Sequence, residues 1–127
     1  MGQPSEYLTL AETAEKSLSK CGADVLAQPR TFLGFLMDYM DPDSVELCVL
    51  ERNCDEDLLR PYRDAVVGTS DLGTAAARAE DYLTRRCRIG AQDAELVAHG
   101  MAAGVARWVG WRRSRGKGGR RRAGERV

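Results

Sequence analysis

One histidine, eight aromatic residues and four scattered cysteines leave this chain of 127 residues with few groups that carry chemistry. No two of Cys21, Cys48, Cys54 and Cys87 form a CxxC pair, and His99 stands alone. A structural zinc site wants four ligands at tight local spacing, so the pattern argues against one. The first residues, MGQPSEYLTLAE, have neither the basic start nor the apolar block of a signal peptide. A disulfide framework is therefore not expected, and the thiols read as small core residues or free thiols in a cytoplasmic protein. Gly2 does not complete a myristoylation motif, because Glu6 stands where Ser or Thr is needed.

Nucleophile and nucleotide signals are missing too. Ser17, Ser19, Ser44 and Ser70 sit in no nucleophile elbow, and no glycine-rich loop follows a strand. Strand alternation and hairpin signals are absent. The acids of DPDSVE (41–46) and DED (55–57) lack the glycine and terminal glutamate of a calcium loop, so they read as helix caps. His99 has no second histidine or nucleophile to serve, and Glu95 four residues earlier offers it a helix-surface ion pair. The stretch LVAHGMAAGVARWVGW is only 16 residues long and contains His99 and Arg107, too short and too polar for a membrane span. Neither a cofactor nor a membrane is expected among the partners.

What is present is helical periodicity from end to end. Thr9 and Glu12 have the form of a capping box, and Leu10, Ala14, Leu18 and Cys21 follow on one face until Gly22. Pro29 suits a first helical position. Phe32, Leu33, Phe35, Leu36, Tyr39 and Met40 then cover about half the circumference, which predicts a central helix packed on two sides. Phe32, Leu36 and either Phe35 or Leu33 are expected to be fully buried. Asp38 opposes the dipole at the end of that helix, with Arg30, Arg52 and Arg63 as candidate partners.

Asp41-Pro42 reads as the start of the next helix, with Asp41 as cap, running to about Asn53. Asp55 caps a further segment closed by Gly68, in which Pro61 predicts a kink or a fresh start at Arg60. Ser70 or Asp71 opens another, with Leu72, Ala76, Ala79 and Leu83 in register. The last helix spans about Ala91 to Trp111, with Ala94, Val97, Met101, Val105 and Trp108 on one stripe. Gly100 and Gly104 inside it each cost ~1 kcal/mol relative to alanine, which a closely approaching helix would explain. The expected fold is all-α: a single bundle of five or six helices over residues 9–111, a flexible N-terminus over 1–8 and a disordered tail over 112–127.

The tail inverts the charge of the body. Residues 112–127 hold Arg112, Arg113, Arg115, Lys117, Arg120, Arg121, Arg122 and Arg126 against Glu125, a charge of +7. The formal net charge of the chain is zero, so residues 1–111 carry −7. Eight of those acids lie in residues 37 to 57, opposed by Arg52 alone.

The run Gly22, Val25, Leu26, Pro29, Arg30, Phe32, Leu36, Asp38 has the form G-x-x-V-L-x-x-P-R-x-F-x-x-x-L-x-D. It resembles a short helical module that recurs in assorted bacterial proteins, often appended to other domains and mostly without an assigned activity. Leu50, Ala65 and ARWVG (106–110) fit its continuation, so the likeness spans about residues 10 to 110. Gln28 stands where the module prefers an acid, and Cys21 where it prefers an aromatic residue. The resemblance implies an accessory, protein-contacting domain and supplies no catalytic residues.

Residues and charge together lead to the expectation of a small non-enzymatic interaction or adaptor protein, with Arg30, Asp38, Asp41, Asp43 and Glu46 as candidate contacts. The competing expectation is nucleic-acid binding through Arg112, Arg113, Arg115, Lys117, Arg120, Arg121 and Arg122 of the tail, aided by the arginines of TRRCRIG (84–90). Against it, the body is net negative and no helix has a groove-reading pattern of small polar and basic residues.

Overall fold

The computed structural model describes residues 7 to 112 with their side chains, and all regular structure among the described residues is helical. Six α-helices follow one another: α1 (Leu10–Cys21), α2 (Pro29–Tyr39), α3 (Val45–Asn53), α4 (Glu56–Val67), α5 (Leu72–Arg85) and α6 (Ala91–Glu125). A 3₁₀ turn, Ala23–Ala27, joins α1 to α2 and buries Val25 and Leu26. The last helix continues past its expected end at Trp111 into the segment expected to be a tail, as far as Glu125, and side chains are described up to Arg112. Of the expected flexible N-terminus, Tyr7 and Leu8 are described, and the Leu8 N–H donates to the Tyr39 carbonyl at 2.8 Å.

Local capping chemistry sets most boundaries. The Thr9 N–H donates to Glu12 Oε1 at 2.9 Å while the Glu12 N–H donates to Thr9 Oγ1 at 3.1 Å, a complete capping box. Asp55 and Asp71 cap α4 and α5 by accepting from the N–H groups of Leu58 and Thr74. Gly68 ends α4 in the left-handed region, at φ 92°.

Two boundaries depart from the sequence expectation. Asp41 does not cap α3: its Oδ1 accepts from the Asp43 N–H at 2.9 Å, forming a local turn, and Ser44 caps the helix instead. Pro61 starts no new helix, because α4 runs unbroken through it with the ring buried. The proline removes one backbone bond, and its packing offsets that loss.

The spine of the bundle is α6, which packs against α1, α3, α4 and α5. Its stripe of Ala94, Val97, Ala98, Met101, Val105 and Trp108 lies in the core. α5 presents Ala75, Ala76, Ala79 and Leu83 to that core, small residues that let it sit between α4 and α6. Tyr62 of α4 is fully buried, and its hydroxyl donates to the Ala98 carbonyl at 2.8 Å. Thr13 and Ser17, the buried polar residues of α1, donate to the carbonyls of Thr9 and Ala14.

Gly100 and Gly104 are where α1 and α6 meet. A Cβ on Gly100 would stand 2.8 Å from Leu10 Cδ2. On Gly104 it would stand 2.6 Å from both the Ala11 carbonyl oxygen and Ala14 Cβ. One turn further, Arg107 Nε lies 3.5 Å from Glu15 Oε1. Both helices therefore advance together through this contact, in parallel.

α2 is not the central helix that its composition predicts. Phe32 and Leu36 are fully buried, but Leu33 and Phe35 are only partly so and Met37 is 54% exposed. The helix packs on α1, α3 and the 3₁₀ turn and leaves its remaining apolar surface at the rim. There Phe35 and Tyr39 stack at 6.3 Å between centroids, with Lys16 Nζ 5.1 Å from the Tyr39 ring.

Phe32→Ala is expected to lower stability by ~3–5 kcal/mol, read from urea unfolding, since a wholly buried ring is removed. Gly104→Ala should lose ~1–3 kcal/mol, because the new methyl meets backbone. Gly34→Ala, in α2 with open space at its Cβ, should gain up to ~1 kcal/mol from helix propensity. Equal effects at the two glycines would overturn the packing argument.

Candidate functional site

The parallel register of α1 and α6 creates a concavity at the start of both helices. Leu10, the first residue of α1, sits opposite Gly100, so the first nine residues of α6 project beyond α1 by ~14 Å of helix rise. Beneath this overhang lies an open cleft of about 750 Å³, lined by Thr9, Leu10 and Ala11 of the α1 start, Glu46 of α3 and the first turns of α6. Three carboxylates border it: Glu46, Asp93 and Glu95. Asp93 also has a local reason to be there, since an acid in the first turn complements the helix dipole. Between these acids Leu96 is 48% exposed, a large apolar side chain off the buried stripe of α6. No lysine or arginine lines the cleft.

Of the five residues expected to form an interaction surface, only Glu46 takes part in this cleft. Arg30 lies exposed elsewhere, in a shallower depression of about 500 Å³ with Cys54, Asp55 and Glu56. Asp38 is exposed and pairs with none of Arg30, Arg52 or Arg63 among the described residues. Asp41 is engaged in its turn, and Asp43 is exposed beside it. Arg112 is exposed, with its guanidinium carbon 4.7 Å from the Trp108 ring. Arg113, Arg115, Lys117, Arg120, Arg121 and Arg122 lie outside the residues described with side chains. In TRRCRIG, Arg85 is paired with Asp81 at 2.8 Å, while Arg86 and Arg88 are exposed.

Asp93, Glu95 and Leu96 escaped the sequence reading as a site, although Leu96 left a trace. It precedes Val97 by one position, so it must stand ~100° away from the core stripe. His99 also differs from expectation: its Nε2 lies 3.8 Å from Glu80 Oε1 of α5, and Glu95 is left to the cleft.

Two thiols and two phenols, Cys54, Cys87, Tyr62 and Tyr82, are shifted toward their neutral forms. Burial and then Asp55 push the Cys54 thiol up to about 12, with its Sγ 3.9 Å from the Pro29 carbonyl. Burial and Asp55 also raise Cys87. Tyr82 is raised chiefly because its hydroxyl donates to Asp55 Oδ2 at 2.6 Å, and Tyr62 chiefly by burial. Among the described residues no cluster of His, Cys, Asp or Glu is arranged to hold a metal ion. No helix searched there is long and apolar enough to cross a membrane. No family model matches the chain, and neither a curated protein nor a solved structure is significantly similar to it.

These shifts set a reactivity order and a pH dependence. Iodoacetamide at pH 8, followed by mass spectrometry, should modify the exposed Cys21 and Cys48 well before Cys54. A raised thiol or phenol in the folded state means that the unfolded chain releases its proton first. Stability from Cys54 is thus fully present below pH ~9 and falls as the pH climbs toward 12. A urea midpoint unchanged between pH 8 and 11 would contradict that assignment.

Proposed function

We propose that this chain is a small non-enzymatic interaction module whose acidic helical body binds a basic segment of a protein partner. The observation that carries the reading is the cleft under the α6 overhang, where half-exposed Leu96 sits among Glu46, Asp93 and Glu95. An apolar anchor point in a cleft bordered by three carboxylates and His99 suits a segment that combines lysine or arginine with one aliphatic residue. The apolar contact supplies affinity, and the carboxylates speed encounter and reject acidic competitors.

The second reading is association with nucleic acid through residues 112–127, favoured by their charge of +7. Binding of that kind would be blind to sequence and steeply salt-dependent, because phosphate contacts release counterions.

The test uses the immobilised full-length chain and a nuclease-treated extract. A protein retained by the native chain should be retained at least tenfold less by Leu96→Ser and by Glu46→Gln/Glu95→Gln, a loss of about 1.4 kcal/mol in binding. Equal retention by all three would move the interface away from the cleft. Retention of a random DNA duplex, with no protein that responds to these substitutions, would favour the second reading.

A further inference from the structure

α2 carries a glycine that the packing of the bundle does not explain. Gly100 and Gly104 make room for α1, but a Cβ built on Gly34 would meet nothing within 4 Å. A glycine inside a helix is unfavourable relative to alanine, and no close neighbour among the described residues offsets that cost. The residues around it are disposed symmetrically. At 3.6 residues per turn, Arg30 and Asp38 lie ~40° to either side of Gly34, one turn before it and one turn after. Leu33 and Met37 share one flank, the first partly buried and the second exposed. Phe32 and Leu36 occupy the opposite face, in the core. Arg30 and Asp38 are exposed, and among the described residues neither takes part in an ion pair. They stand ~12 Å apart along the helix, too far to neutralise each other within one copy. Asp55 and Glu56 line a depression with Arg30 but form no ion pair with it.

We propose that α2 pairs with α2 of a second copy, antiparallel, about a two-fold axis at Gly34. An antiparallel pair centred there sets Arg30 opposite Asp38 of the other copy, because the two stand equally far before and after the centre. The two-fold axis makes that contact twice. Leu33 and Met37 of both copies fall on the same side of the crossing and form one apolar seam. The bare backbone at Gly34 lets the helix axes approach to about 8 Å, the short end of the usual range. A parallel pair would instead oppose Arg30 to Arg30 and Asp38 to Asp38, and like charges in contact disfavour it. α2 has 11 residues and is ~16 Å long, so the pair buries less than the ~1,200 Å² of a tight interface. The dimer is therefore weak and reversible, forming at about 100 µM and above. This face shares no residue with the cleft under the α6 overhang, so each surface is tested separately.

Sedimentation equilibrium of the full-length chain reads the association, with reductant present so that the exposed Cys21 and Cys48 do not cross-link. Between ~10 µM and ~1 mM the native chain should pass from monomer to dimer by mass action. Gly34→Leu should weaken dimerisation at least ~tenfold, and so should Arg30→Asp and Asp38→Arg separately. All three positions are exposed, so circular dichroism of each variant should match that of the native chain. Dimerisation should return in the double variant Arg30→Asp/Asp38→Arg, which restores two opposed pairs across the axis. An equimolar mixture of the two single variants should dimerise for the same reason. A native chain that stays monomeric throughout would overturn the proposal, as would a dimer indifferent to these substitutions. A double variant that stays monomeric would overturn the antiparallel arrangement, since only there does residue 30 face residue 38.

Discussion

The backbone-level contact between α1 and α6 is the constraint on which the other packing depends. With no Cβ at Gly100 and Gly104, α6 approaches until Ala11 and Ala14 meet its surface directly. Such an approach demands small or self-satisfied residues on α1, and its buried face supplies Thr13, Ala14 and Ser17, whose hydroxyls bond within their own helix. Two helix-interior glycines cost ~2 kcal/mol in propensity relative to alanine, which dispersion across the close contact must offset. With α6 held against α1, its opposite side is free to receive α5 and the Tyr62 hydroxyl from α4.

The same contact fixes the cleft. α1 and α6 run parallel, and α1 begins only at Leu10 because Thr9 takes the capping role there. α6 has already completed more than two turns by the point where it meets Leu10. Two parallel helices with staggered starts leave a step, and α3 closes one side of that step with Glu46. The cleft thus results from helix register, with no loop devoted to shaping it.

What could be read from the sequence follows the range of the interactions. Thr9, Asp55 and Asp71 act on N–H groups three residues ahead, so their caps were legible from spacing alone. The glycine pair was legible because its propensity cost demanded a neighbour. Residues 41 to 44 offered three side chains able to cap, and the choice of Ser44 depends on how the chain leaves α2, which short-range chemistry does not determine. α2 misled because six apolar residues in its sequence resemble burial on two sides. In the fold, Phe35 and Tyr39 stack at the rim beside Lys16 instead. The cleft brings residues 9–11, 46 and 92–100 together, and their meeting depends on the α1–α6 register, which no spacing within either helix encodes.

The location of the acids separates binding from stability. Gly104, Phe32 and Tyr62 are closed in by their neighbours, so substitution there acts on folding first. Leu96 and Glu95 are exposed on the overhang, and changes at such surface positions usually move stability by ~0.5 kcal/mol or less. The overhang gains its rigidity from the stripe beneath it, Ala94, Val97, Ala98 and Met101, all without accessible surface. One helix thereby carries two independent faces, one fixed by close packing and one open to change. The charge on the open face can change without disturbing the contact that holds the bundle together.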